Sequence, residues 1–174
     1  MIIVEGPDGS GKSTLIQHLG FLPRKFKALR TGLGGTNSLG LHDGIFGWGH
    51  TDETVNAYYR VIDEYHGARR HENIAADRFH LSERVYSPIL RGYQAVTDED
   101  LATVSRTCRM QQIPIILCLP PFHVTLANVL VTGRERPSYQ TEAFLREAYD
   151  AFVKLAPWAT VVYDYTVDAP PVLA

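Results

Sequence analysis

Cysteine is scarce in this chain: two residues in 174, Cys108 and Cys118. Neither their number nor their spacing suits a zinc site or a disulfide framework, so both are expected to be reduced and buried. Long apolar runs are also missing. Nothing approaches the ~20 consecutive apolar residues that a bilayer crossing needs. No secretory leader is apparent at the start. No membrane association and a cytoplasmic location are therefore expected. An excess of one charge is lacking too. Seventeen Lys and Arg face 19 Asp and Glu, for a net charge of −2, so no global basic field exists to grip duplex nucleic acid. Stable nucleic-acid binding is not expected, although a local basic cleft is allowed. Internal repeats and interdomain linkers are absent as well. What remains is an ordinary globular composition, 45% hydrophobic and 21% charged, which excludes disorder and fits one domain over 1–174.

Apolar runs alternate with helical patterns along this domain. Met1 to Val4 reads as a short strand, and Ser13 to Leu19 as the start of a helix. A second strand is expected at Lys27 to Thr31, followed by an aperiodic glycine-rich loop from Gly32 to Gly49. Thr51 to Arg69 reads as a helix with Thr51 as its N-cap. Asn73 to Asp77 is a strand that ends in a carboxylate. Leu81 to Arg91 is helical and stops at Gly92, with a kink or break expected at Pro88. "TDED" at Thr97 to Asp100 is a capping box with aspartate in place of glutamate, opening a helix to about Gln112. Ile113 to Leu119 is a strand buried on both faces. A turn and a short helix follow in "PPFHVTLANVLVTG". Thr141 to Ala156 is a helix with Leu145, Ala148, Tyr149 and Phe152 on one face. Thr160 to Tyr165 is the last strand. Such alternation predicts a three-layer α/β fold, with a parallel sheet of about five strands covered by helices on both faces. Ligands in such folds meet the carboxyl ends of the strands.

The most specific motif is "GPDGSGKS", Gly6 to Ser13, which fits G-x-x-x-x-G-K-[ST] at every fixed position. Glycines let the backbone curl so that its N–H groups point inward and bind phosphate oxygens. Gly9, Ser10, Gly11, Lys12, Ser13 and Thr14 are the candidate donor-binding residues. Lys12 reaches the terminal phosphates, and the Ser13 hydroxyl holds Mg²⁺. A plain glycine turn beside an unrelated lysine does not explain why the motif sits between a strand and a helix. The implied ligand is ATP with Mg²⁺. No N-K-x-D guanine-reading pattern is present, which speaks against a switch GTPase.

Two further segments favour a kinase. In "NIAADRFHLSERVYSP", Asp77 closes a strand where a second Mg²⁺-organising carboxylate belongs, and Arg78 follows at once. Taken alone, Asp77 would be a helix cap and Arg78 a surface ion pair. In "GRERP", Arg134 and Arg136 occupy a glycine- and proline-bounded loop ahead of a long helix. Alone that loop would be a solvated basic turn. Beside a phosphate-binding loop it reads as a lid over about 132–140, whose arginines meet charge on the transferring phosphoryl group.

With these residues in view, the chain resembles the thymidylate kinase-type nucleoside monophosphate kinases, of the compact sort found in phages. "EGPDGSGKST", "DRFHLSERVY" and the segment from "PPFHVTLANVL" through the final helix carry the resemblance. It implies that Arg78 clamps the acceptor phosphate and that Asp8 faces the acceptor sugar or its metal. It places Ser82 near the base and Tyr86 against the sugar, favouring deoxyribose. Arg60 resembles the family's acceptor-phosphate arginine. Ser10 stands where some members place a catalytic arginine, so Arg134 and Arg136 would supply that charge. Asp77 and Ser13 would hold the metal. A homodimer is a candidate assembly, and a phage-encoded member would work in the host cytoplasm. The chain departs from the family in two places. Gly32 of "RTGLGGT" replaces the acid of an acid-proline pair, and Asn56 falls near the aromatic that stacks on thymine. Phe46, Trp48, Tyr58 and Tyr59 are the other candidates for stacking, with core packing expected for at least two of them.

Three functions remain open on the sequence. The leading one is ATP-dependent phosphoryl transfer to a deoxynucleoside monophosphate, an anionic acceptor that needs clamps rather than a base. The second is a kinase of a hydroxyl, in a deoxynucleoside or a hydroxymethylated base in DNA, with Asp77, Asp8 or an acid between Asp43 and Glu53 as base. The third is a non-catalytic P-loop nucleotide-binding module.

Overall fold

The computed structural model describes residues 1–24, 51–63, 73–131 and 141–171. The expected strand at Lys27 to Thr31, the Gly32–Gly49 loop, the far end of the Thr51–Arg69 helix, and the lid over 132–140 with Arg134 and Arg136 lie outside these residues.

Among the described residues, five strands form one parallel sheet: β1 (Ile2–Glu5), β2 (Leu22–Arg24), β3 (Ile74–Asp77), β4 (Ile115–Cys118) and β5 (Val161–Tyr163). Their order is β2-β3-β1-β4-β5. β1 is therefore central, paired with β3 on one side (Val4 opposite Asp77) and β4 on the other (Glu5 opposite Leu117). All carboxyl ends share one edge, which brings the turns after β1 and β3 together. β2 is a strand that sequence patterning missed. Pro23, opposite Ala75, has no N–H to give a ladder, which an edge strand tolerates.

Side chains alternate across the sheet with period two. Ile2, Val4, Ala75, Ile116 and Cys118 face one side, where Leu15 and Ile16 of α1 (Lys12–His18) cover them. Ile3, Ile74, Ala76, Ile115 and Leu117 face the other side. There they meet α2 (Thr51–Ile62), α3 (His80–Arg91), α4 (Asp98–Met110), α5 (Phe122–Val131) and α6 (Glu142–Lys154). Fully buried side chains such as Phe79, Leu101 and Phe152 each contribute roughly 1.5–3 kcal/mol on this larger face. Cys108 and Cys118 are free and buried, and burial raises both thiols to about 12, so they pack as small hydrophobes.

Helix ends follow local chemistry. Thr97 caps α4 in the expected box: the Asp100 N–H donates to Thr97 Oγ1 at 3.2 Å, and the Thr97 N–H donates to Asp100 Oδ2 at 2.9 Å. Thr141 caps α6. Thr51 is the first residue of α2 rather than its cap. Pro88 neither ends nor divides α3, contrary to expectation. The Arg84 carbonyl, which Pro88 cannot serve, accepts a bond from the Gln94 side-chain amide at 3.1 Å. The helix then closes normally, with Gly92 in the left-handed region at φ 73° donating to the Pro88 carbonyl.

Candidate phosphate-binding and acceptor site

The turn from β1 into α1 is packed so closely that side chains are excluded. Gly6, at φ 138°, would place a Cβ 2.3 Å from the Cys118 carbonyl oxygen. Gly9, at φ 79°, would place one 2.4 Å from the Thr125 carbonyl oxygen. Only glycine fits such backbone. Lys12 bridges the loop. Its ammonium donates to the carbonyls of Gly6 at 2.9 Å and Pro7 at 2.6 Å, and to Ser10 Oγ at 3.4 Å. Burial lowers the Lys12 pKa to about 8, helped by Arg78 and opposed by Asp8 and Asp77. Ser10 is buried, while Ser13 and Thr14 are exposed at the first turn of α1.

Two residues not anticipated from the sequence flank this loop. The Asn128 side-chain amide, on α5, donates to the Gly9 carbonyl at 2.8 Å and to the Tyr165 hydroxyl at 2.6 Å. The Tyr165 ring, just past β5, lies where a Cβ on Gly11 would fall, about 3.0 Å away. No spacing links residues 11, 128 and 165, so only the folded sheet reveals the cluster.

The second turn, from β3 into α3, meets the first. Asp77 ends β3 and is buried. Arg78 occupies the left-handed region at φ 74°, unusual for a residue with a Cβ. Its N–H donates to the Val4 carbonyl at 2.9 Å, and its guanidinium forms an ion pair with Asp8. Burial works against the arginine charge, but Tyr86, Asp8 and Asp77 outweigh it and raise the pKa above its ordinary value. Arg78 is thus a permanent cation beside the glycine loop.

Tyr86 is part of the core. It stacks on Phe144 at 6.2 Å between centroids, meets Phe152 edge-on at 5.8 Å, and carries the Arg78 guanidinium 5.0 Å from its ring centre. Burial raises its hydroxyl to about 12. Ser82 is buried and its hydroxyl donates to Glu5. Arg60 and Asn56 are exposed on α2. Tyr58 is core, edge-on to Phe79 at 4.6 Å, and Tyr59 is half-buried. Phe46 and Trp48 lie outside the described residues.

Glu5 is the other residue the sequence did not single out, although "IIVEG" shows a carboxylate at the end of an apolar strand. It is completely buried. Its Oε1 accepts from the N–H groups of Phe79 at 3.0 Å and Leu81 at 2.9 Å, and its Oε2 from the Ser82 N–H at 3.2 Å. Burial raises its pKa to about 7, against the pull of these bonds and of Arg78.

The glycine cradle, the Lys12 ammonium, and the oxygen donors Ser13 and Asp77 fit a nucleoside triphosphate with Mg²⁺ in chemistry and position along the chain. The three-layer α/β fold, a parallel sheet with helices on both faces, is shared with solved structures. Among solved structures, the chain is similar to the YorR protein of Bacillus subtilis in complex with phosphorylated GDP, with a TM-score of 0.62 and 19% identity over 94% of this chain and 84% of that one. It is also similar to deoxyadenosine kinase from M. mycoides with bound dATP, with a TM-score of 0.54 and 15% identity over 96% and 92% of the two chains. The same kinase with products dCMP and a flexible dCDP bound gives a TM-score of 0.51 at 14% identity, over 96% and 91%. No family model and no curated protein matches the sequence. Among the described residues, no helix is long and apolar enough to cross a membrane.

Proposed function

We propose that the chain is a P-loop kinase that transfers the terminal phosphoryl group of ATP to a deoxynucleoside monophosphate. The observation that carries this reading is Arg78: a permanently charged guanidinium, ion-paired with Asp8 of the glycine loop itself. A monophosphate is already a nucleophile at neutral pH. It needs a cation to hold it in line rather than a base to deprotonate it. In this role Arg78 exchanges the Asp8 carboxylate for the acceptor phosphate, and Asp8 turns to the acceptor sugar. Lys12 and the loop amides hold the donor phosphates. Ser13 and Asp77 hold Mg²⁺, which when bound neutralises charge across the donor phosphates. Arg134 and Arg136 close over the transferring group as a lid, and Arg60 adds a second cation to the acceptor. Tyr86, already packed under Arg78, sets the wall nearest the sugar and favours deoxyribose. A thymidylate-like acceptor is the finer form of this reading.

A second reading has its own support. One structural neighbour is a deoxyadenosine kinase, so a deoxynucleoside hydroxyl is an alternative acceptor. Asp77, Asp8 or an acid between Asp43 and Glu53 would then serve as base. A coupled ADP-release screen over deoxynucleosides, deoxynucleoside monophosphates and oligonucleotides separates the two. Release driven by monophosphates alone is expected. Release driven by nucleosides alone overturns the first reading in favour of the second, and release with neither removes both.

A further inference from the structure

Arg78 holds a conformation that residues with a Cβ avoid, so something must hold it there. Its own N–H is tied to the Val4 carbonyl. The next residue, Phe79, is the N-cap of α3 and has no side-chain acceptor to offer. The first N–H groups of α3 would therefore lack partners in a fully buried place. Glu5 fills that role from another strand. One carboxylate oxygen accepts from Phe79 and Leu81, and the other from the backbone and hydroxyl of Ser82. Three residues further along, the same strand-loop segment supplies Asp8, which receives the Arg78 guanidinium. β1 and the loop after it thus grip the β3–α3 turn at three points: Val4 by backbone, Glu5 from inside and Asp8 from outside.

We propose that Glu5 is a positioning residue for the acceptor end of the site: its carboxylate, by capping α3, holds Arg78 in its left-handed conformation and aims the guanidinium at the glycine loop. Glu5 has no exposed surface, so it acts through Arg78 and touches no ligand. The requirement is for two acceptor oxygens at once. A glutamine side chain has one, so in Glu5→Gln either the Phe79 and Leu81 pair or the Ser82 N–H faces an NH₂ group instead.

The inference rests on the monophosphate kinase reading for its kinetic consequence. Glu5→Gln is expected to raise KM for the acceptor monophosphate tenfold or more while leaving KM for ATP within twofold. In the Arg78→Ala background the same change is expected to add almost nothing, because the residue it positions is gone. Equal increases in both KM values, or full additivity with Arg78→Ala, would make Glu5 a general core group and overturn the proposal. If Glu5→Gln does not fold, Ser82→Ala removes one of the four donors and leaves the carboxylate. A selective but smaller rise in acceptor KM supports the proposal, and unchanged or evenly raised constants contradict it. If the wild type phosphorylates no monophosphate, the functional reading has failed, and the positioning claim stands or falls on the Arg78 guanidinium signal in ¹⁵N NMR. That signal should exchange slowly in the wild type and broaden or shift in Glu5→Gln. An identical signal in both proteins would refute it.

Discussion

Two strand-to-helix turns meet at the carboxyl edge of the sheet, and they solve the same backbone problem differently. The turn after β1 uses glycines. Gly6 and Gly9 take positive φ without a Cβ to clash, and Lys12 closes the loop by bonding the Gly6 and Pro7 carbonyls from within its own eight residues, with Asn128 adding one bond to Gly9 from outside. The turn after β3 forces an arginine into the left-handed region. It is held by Val4, Glu5 and Asp8, some 70 residues away in sequence. The first turn is shaped by glycine backbone and by the Lys12 ammonium that bonds its carbonyls. The second presents one charged side chain, and its backbone N–H groups are taken up by a buried carboxylate. Short-range chemistry thus dominates the first turn, and tertiary structure dominates the second.

Substitutions can break or sharpen this contrast. The largest effect is expected from Lys12→Ala. Loss of a cation that meets charge at the transferring phosphoryl group typically costs ~3 kcal/mol or more of barrier, so kcat should fall at least a hundredfold with the circular dichroism spectrum unchanged. Retained turnover would remove Lys12 from the chemistry. Gly6→Ala should be next. It forces a Cβ against the Cys118 carbonyl at unfavourable φ, and a loss on the order of 2–4 kcal/mol is expected in urea unfolding. A smaller loss would show that the glycine turn can relax.

His80, the first residue of α3, gives a pH test. It is fully buried, its Nε2 is 2.8 Å from Ser105 Oγ, and burial lowers its pKa to about 3. A base with a depressed folded pKa binds fewer protons folded than unfolded. Its stabilisation is present above the unfolded value near 6.5 and is lost as pH falls toward 3. Wild-type stability should therefore drop by about 3 kcal/mol between pH 6.5 and pH 4 from this group, and His80→Gln should flatten that slope. Equal slopes in the two proteins would mean that His80 is not held neutral.

The smallest effect compares Arg78→Gly with Arg78→Ala. Both lose the guanidinium, but glycine tolerates φ 74° and alanine does not. The glycine variant should be more stable by about 1 kcal/mol. Equal stability would mean that the turn relaxes once the ion pair is gone.

The same contrast explains what patterning alone could reach. The glycine loop was readable because its motif is a run of consecutive residue types at fixed spacing. The α4 cap at Thr97 and the buried face of α6 were readable for the same local reason. β2 was not: three residues containing Pro23 carry no period, and only pairing with β3 makes them a strand. The carbonyl that Pro88 leaves open in α3 is met by Gln94, outside the helix. Glu5, Asn128 and Tyr165 have no partner within reach in sequence, so their roles appear only when β1, α5 and β5 are brought side by side. Arg78 was readable as a candidate from its neighbour Asp77, but its strained backbone and its place on the Tyr86 ring were not.

The most direct test of the central claim follows the phosphoryl group itself. The protein is incubated with ATP labelled at the terminal phosphate, Mg²⁺ and each of the four deoxynucleoside monophosphates in turn, and products are separated by chromatography. Label should appear in the diphosphate of at least one acceptor, and Lys12→Ala should abolish it. Label found only as inorganic phosphate, or entering deoxynucleosides but no monophosphate, would contradict the account.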